Sequence, residues 1–326
     1  MTSLNVIFVH SEQPIIYRGW IPEDAAAELN RLGIHTQSVF ISALEELRSK
    51  IVYPEQTLVW PVCYTVGADP NGPLLAALLE EHGIPYIGLA AETLRYSSKL
   101  RFKDAVAQRT AYRTPAYGSY SAETRTFAVD IPFPAMVKTE YSCNSEGVWF
   151  ANNRIEAEEL AQSAHSQTGQ AVFLEQWERH CEYTIGYIAG FGEAAPLAAA
   201  MTMTLLDERP YVDREAKNDN TLLQFSRPDP DVASALEKMT ISIAQGLALD
   251  GHFRMDVVMN SHGEAFPIEL NLLPYLTRHA PNQSYFPLAF ELAGTLDYTG
   301  VITRIVSHAV ARAWGRKRVA ELGLLQ

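Results

Sequence analysis

The stretch from Phe253 to Asn271 constrains this chain more than any other. Phe253-Arg254-Met255-Asp256-Val257-Val258-Met259 and Ala265-Phe266-Pro267-Ile268-Glu269-Leu270-Asn271 are two runs rich in Val, Ile, Met and Phe. Asn260, Ser261, His262 and Gly263 supply turn chemistry between them, so the segment reads as a β-hairpin. Side chains alternate faces along a strand. Arg254 and Asp256 therefore share one face of the first strand, and Glu269 and Asn271 share one face of the second. Folding about His262 sets Asp256 opposite Glu269, while Met255, Val257, Ile268 and Leu270 are core material. Two carboxylates and an amide oxygen at one place suit a hard cation, because Mg²⁺ takes oxygen ligands and shares itself between carboxylates and substrate phosphates. The alternative is the polar face of an ordinary exposed hairpin. The Arg-x-Asp and Glu-x-Asn spacing, with Pro274 just behind, favours a site.

A chain of 326 residues is too long for one small core, and two or three subdomains are expected. The net charge of −12 argues against a nucleic-acid surface, which needs a Lys/Arg-rich face, but leaves room for a local basic pocket. Cys63, Cys143 and Cys181 are odd in number and fit no zinc spacing, so they read as reduced thiols of a cytoplasmic protein. Cys143 lies in a polar loop, where a thiol can be reactive. The first residues lack a basic leader, and no apolar run approaches the roughly 18 residues needed to span a bilayer. The longest candidate, Ala194 to Leu206, contains Pro196. A protein with no export signal and no membrane partner is expected.

Strand-like runs at Leu4 to Val9, His35 to Phe40, Leu58 to Val62 and Ile84 to Gly88 alternate with helical patterns at Glu23 to Leu32 and Pro73 to His82. This predicts a parallel sheet with helices on its faces. The glycine-rich turn of a dinucleotide fold is missing after Val9, and Pro73-Leu74 stand where a phosphate loop needs Lys and Ser/Thr. Next, Lys99 and Lys103 lie four apart on one face of a helix predicted to run to about Arg109; taken alone they also fit a solvated basic face. Lys138 ends a short strand, and the polar loop Ser142 to Val148 after it offers N–H groups and hydroxyls to phosphate oxygens. A helix is expected over Ile155 to Gln167, then strands over Ala171 to Trp177 and Glu182 to Ile188, with Leu197 to Leu205 pairing to the latter. Asp207 to Asp231 is polar and irregular, a length usually functional or mobile. Helices are expected over Pro230 to Leu249, Phe286 to Ala293 and Val301 to Leu322.

The order Lys99, Lys138, Glu175-Gln176-Trp177, Glu182, Lys217, Arg254-x-Asp256, Glu269-x-Asn271 resembles the ATP-grasp superfamily, and within it the D-alanine–D-alanine ligase branch. Asp69-Pro-Asn-Gly-Pro-Leu-Leu75, Gly83-Ile-Pro-Tyr-Ile-Gly88, Glu215-Ala216-Lys217 and the Phe286-to-Gly294 segment extend the match over nearly the whole chain. The resemblance implies an α/β (α+β) ATP-grasp fold. Its parts would be an N-terminal parallel domain over residues 1–98, a central subdomain over 99–190 and a C-terminal subdomain over 191–326. ATP would lie between two antiparallel sheets. Lys99 and Lys138 would contact phosphates, Glu175 would accept from the adenine amino group, Gln176 and Trp177 would read the ring edge, and Glu182 would hold the ribose. Asp256, Glu269 and Asn271 would carry Mg²⁺ (or Mn²⁺). Lys217 would reach the γ-phosphate from a mobile loop, and Arg254 would stabilise the acyl phosphate and tetrahedral intermediate, with Ser145 of the polar loop in the catalytic set.

The substrate half departs from that branch. Its Gly-Ser-Ser-Val-Gly type loop is here Cys143-Asn144-Ser145-Glu146-Gly147-Val148, and its Ser-Pro-Gly-x-Thr segment is Leu273-Pro274-Tyr275-Leu276-Thr277 followed by Arg278-His279. Tyr275 and Arg278 are candidate substrate residues there, and Glu12 is the candidate for the first amino group. The expectation is an ATP-dependent carboxylate–amine ligase joining amino-acid-like substrates in a specialised peptide pathway. It would release ADP and phosphate and work as a cytoplasmic homodimer. The alternatives are an intramolecular cyclo-ligase, a true D-alanine–D-alanine ligase and a non-catalytic nucleotide-binding protein.

Overall fold

The computed structural model describes residues 4–12, 22–69, 72–142, 145–178, 181–218, 220–278 and 283–324. Strand β1 (Asn5–His10), helix α1 (Glu23–Arg31), β2 (His35–Phe40), α2 (Leu44–Arg48), β3 (Thr57–Pro61) and α3 (Leu75–Glu81) come first. The strands form a parallel sheet in the order β2-β1-β3. Helix α2 was not foreseen. The fourth strand expected at Ile84 to Gly88 is reduced to a bridge between Val59 and Tyr86, because Pro85 has no N–H to give a ladder. Its carbonyl still accepts from Val59 N at 2.9 Å.

Helix α4 (Lys99–Arg109) opens the central layer; the Ser98 side chain caps it by accepting from Arg101 N. Then come β4 (Tyr117–Ser121), β5 (Thr126–Phe127), β6 (Ala135–Thr139), β7 (Val148–Ala151), α5 (Arg154–Thr168) and β8 (Val172–Gln176). Asn153 caps α5 and Gly169, at φ 67°, ends it. The five strands pair antiparallel in the order β5-β4-β8-β6-β7 around their own small core of Phe127, Val137, Ala157, Ala161 and Leu174.

A second antiparallel sheet follows, in the order β11-β10-β9-β12-β13. It holds β9 (Cys181–Ile188), β10 (Leu197–Leu205), β11 (Leu223–Ser226), β12 (His252–Met259) and β13 (Ala265–Asn271). The change of sheet thus falls between Gln176 and Cys181, and position 190 lies past the end of β9 within the second sheet's run of strands. Helices α6 (Arg214–Asn218), α7 (Pro230–Gly246), α8 (Tyr285–Ala293), α9 (Tyr298–Trp314) and α10 (Arg316–Glu321) complete the chain. The irregular segment expected over Asp207 to Asp231 contains α6 and β11. The single helix expected over Val301 to Leu322 breaks at Gly315, whose φ of 84° an L residue rarely adopts. No helix among the described residues is long and apolar enough to cross a membrane.

Two larger cores join the parallel sheet to the second antiparallel sheet. Val9 and Leu79 share one with Ile185 and Met255. Phe8 and Trp60, stacked at 5.2 Å, share the other with Phe286 and Phe290. Each fully buried side chain of this size contributes about 1.5–3 kcal/mol, so first and last thirds of the chain are one packed body. The central sheet faces this body across a cleft.

Candidate active site

The hairpin β12–β13 pairs as the sequence requires: Asp256 is opposite Glu269, and Arg254 opposite Asn271, with a register shift just beyond, between Asp256 and Val257. Arg254 grips Asp256 with two bonds, Nε to Oδ1 at 2.9 Å and Nη2 to Oδ2 at 2.8 Å. Thr184 on the neighbouring β9 donates to the same Oδ1 at 2.8 Å. Burial would favour a neutral Arg254, but Asp256 outweighs it and holds the guanidinium above its usual range. Glu269 receives Lys99 Nζ at 3.0 Å. Burial pushes the Glu269 carboxyl up, yet Lys99, Lys217 and Lys138 together hold it well below the usual carboxylate range.

Lys99 comes from the first turn of α4 and also donates to Ser142 O at 3.0 Å and Ser142 Oγ at 2.8 Å. Lys138 lies one residue before the end of β6, beside β8, where it pairs with Glu175 Oε1. Glu175 is 2% exposed, and its other oxygen takes Lys103. The adenine role expected of Glu175 therefore falls on a carboxylate already shared by two lysines. Lys103 was visible only as the i+4 partner of Lys99 and was not singled out as a site residue.

A cleft lies between the sheets, and Lys138, Glu175, Gln176, Trp177, Glu182, Ser145, Lys217, Asp256 and Glu269 line it. Apolar Met136 and Met203, which the sequence did not single out, form walls together with Ile268, which was expected in the core but is half-buried and faces the cleft. Trp177 packs edge-on to Phe150 at 5.1 Å. The segment around α6 lies over the cleft. Val212 N donates to Glu182 Oε1 at 3.2 Å, Ser145 Oγ to Val212 O at 2.9 Å, and Tyr211 OH to Val148 O at 3.2 Å. Arg214 reaches Glu146 at 3.0 Å. Burial pushes the Glu182 carboxyl up, against the pull of Lys217 and the Val212 N–H. Ser145 sits at φ 56°, left-handed backbone that turns its side chain to this segment. Cys143 and Asn144 lie outside the described residues, as does His279.

Three expected substrate residues stand apart from this convergence. Glu12 is exposed and does not line the cleft. Tyr275 is 42% exposed, and its carbonyl accepts from Ser284 Oγ. The Arg278 guanidinium lies over the Tyr298 ring at 5.3 Å, and the Arg278 backbone N–H donates to Asp24 Oδ2 at 2.7 Å, which ties the segment after β13 to α1.

Among the described residues no three His, Cys, Asp or Glu side chains form a metal-holding group. The oxygen set of Asp256, Glu269 and the Asn271 amide, two carboxylates paired across a hairpin, nonetheless fits a hard cation that completes its shell from a ligand.

The family model described as D-ala D-ala ligase C-terminus matches residues 113–307. The D-alanine–D-alanine ligase of Pseudomonas putida (strain GB-1) is 28% identical over 244 residues, 73% of this chain and 72% of that one. That of Aquifex aeolicus (strain VF5) is 23% identical over 232 residues, 71% and 75%. The chain superposes on a D-alanine–D-alanine ligase from Bacillus anthracis complexed with ATP with a TM-score of 0.70 at 15% identity, covering 96% of this chain and 99% of that one. For the VanG D-Ala:D-Ser ligase of Enterococcus faecalis the TM-score is 0.68 at 15% identity, covering 94% and 100%. The structural likeness shows the ATP-grasp fold, and the family match spans more than half of the sequence: the chain belongs to the D-alanine–D-alanine ligase family of ATP-dependent carbon–nitrogen ligases.

Proposed function

We propose that this protein uses ATP to join two amino-acid-like substrates through an acyl phosphate, releasing ADP and phosphate. The observation that carries this reading is the meeting of two charge sets on one cleft: Glu269 and Asp256, held from beside it by Lys99 and Arg254, and Lys138 with Glu175. A carboxylate is a poor electrophile. When one of its oxygens attacks the γ-phosphorus of ATP, ADP leaves and a good leaving group stands on the acyl carbon. The amine of the second substrate attacks that carbon, and phosphate departs with the bridging oxygen.

Lys99 and Lys138 would bind nucleotide phosphates, Glu182 the ribose, and Gln176 with Trp177 the adenine edge. Lys217, on the segment over the cleft, would meet the transferred phosphoryl group and exclude water. Arg254 would stabilise the oxyanion that develops on the acyl carbon. Asp256, Glu269 and Asn271 would hold Mg²⁺ or Mn²⁺, which when bound neutralises phosphate charge.

For the substrates, D-alanine in both positions agrees best with the curated relatives, and the expectation of a specialised pathway gives way to it. A different second amino acid is the other reading, favoured by the Leu273-to-Arg278 segment, which departs from the branch pattern and is pinned to α1 by the Arg278–Asp24 bond. A cytoplasmic homodimer belongs to the same proposal. The test is Mg²⁺-dependent ADP release with D-amino acids singly and in pairs, with mass spectrometry of products. A D-alanyl-D-alanine mass supports the first reading and a mixed dipeptide the second. Water loss from a single substrate would point to ring closure instead.

A further inference from the structure

Lys103 has no part in the mechanism above, yet its side chain is fully buried. It lies one turn along α4 from Lys99, under the rings of Tyr117 at 5.4 Å and Phe173 at 6.0 Å. Its charged partner is Glu175, whose second oxygen pairs with Lys138. Removing an ammonium from water is costly unless it is well paired, and an apolar chain of the same shape would fill such a space without that cost. Burial draws the Lys103 ammonium below its ordinary range while Glu175 pulls the other way, and both lysines hold Glu175 anionic despite its burial.

The consequence falls on Lys138. A buried carboxylate facing a single ammonium would take that ammonium as its full counterion. Here two lysines face one glutamate, so the trio carries one net positive charge. Lys138 and Glu175 line the cleft, and Lys103 does not. We propose that Lys103 is a positioning residue: it neutralises Glu175 from behind, so that Lys138 keeps its positive charge for an anionic ligand in the cleft. The identity of that ligand as a nucleotide triphosphate rests on the proposed function. Charge at Lys138, set from behind the sheet, would then tune affinity for phosphate without a residue that touches it.

The test compares the intact chain with Lys103→Met, Glu175→Gln and the double variant. Calorimetric Kd values are measured with Mg²⁺ for ATP and for inorganic tripolyphosphate, alongside KM for ATP and kcat. Lys103→Met is expected to weaken both ligands by at least about tenfold, the scale of one charge-assisted contact. KM should rise in step, and kcat should change much less. In the double variant Glu175 no longer competes for Lys138, so both affinities should return to within about threefold of Glu175→Gln alone. Unchanged affinity in Lys103→Met overturns the proposal. So does a double variant as weak as Lys103→Met, which would assign the loss to packing. If Lys103→Met does not fold, the double variant against Glu175→Gln carries the comparison. A native chain that binds tripolyphosphate but not ATP contradicts the nucleotide reading alone, and the Lys103 comparison then stands on tripolyphosphate.

Discussion

Lys99 Nζ and Glu269 Oε2 lie 3.0 Å apart, joining the first turn of α4 to the end of the hairpin. The lysine proposed to bind phosphate and the carboxylate proposed to bind metal neutralise each other here, so a ligand carrying both anion and cation would exchange this pair for two new ones. Glu269→Gln should lower the rate of ADP formation by about 100-fold and abolish its dependence on Mg²⁺ concentration. ATP affinity without divalent cation should be unchanged or tighter, since Lys99 loses its counterion. Steady-state rates across a Mg²⁺ titration check this. A normal Mg²⁺ response would remove Glu269 from the metal set.

Arg254 holds Asp256 with two bonds on the cleft-facing strand. Arg254→Ala should bind ATP within a few-fold of the native chain and lose about 10²–10³ in kcat, as removal of a transition-state donor does. Single-turnover ADP formation against equilibrium ATP binding separates the two effects. Unchanged turnover would exclude the role assigned to Arg254.

Glu182 is an acid whose folded pKa is raised, mainly by burial. Such a group binds its proton more tightly folded than unfolded. Its contribution to stability is present below the ordinary carboxylate value of roughly 4.3 and is lost as pH rises through the raised value. Glu182→Gln should therefore melt higher than the native chain at pH 8, by roughly 2 °C or more, while KM for ATP rises. Thermal scans at pH 4 and pH 8 should show the gap only at pH 8.

His252 lies between Trp60, at 6.1 Å, and Phe286, at 5.9 Å, and burial takes its pKa down to about 3. The folded state holds it neutral, whereas the unfolded chain protonates near 6.5. This depressed base favours folding above about 6.5 and costs progressively more as pH falls towards 3, up to roughly 5 kcal/mol. His252→Leu should move the midpoint of acid unfolding to lower pH, and circular dichroism against pH follows it. An unchanged midpoint would show that other groups govern acid unfolding.

The hairpin was legible because period-two alternation and a strong turn fix register together, and a slip by one residue would have turned Asp256 into the core. The shift after Asp256 was not, since nothing in Asp256-Val257-Val258 marks a bulge. Strands β4, β5 and β7 escaped notice because Tyr117-Gly-Ser-Tyr-Ser121, Thr126-Phe127 and Val148-Trp-Phe-Ala151 are short and alternate weakly. Lys103 looked like half of a solvated pair. Its burial depends on Tyr117 and Phe173, which another sheet brings over it. The setting of Arg278 was not legible either: its guanidinium lies over Tyr298 and its backbone N–H meets Asp24, partners adjacent only in the folded chain.

Transfer of a carboxylate oxygen to phosphate tests the acyl-phosphate route most directly. The first amino acid is supplied with both carboxylate oxygens as ¹⁸O, together with ATP, Mg²⁺ and the second substrate, and the released phosphate is weighed by mass spectrometry. One ¹⁸O in each phosphate is the predicted result, because the bridging oxygen leaves with phosphorus when the amine attacks. Unlabelled phosphate accompanying dipeptide formation would contradict the account.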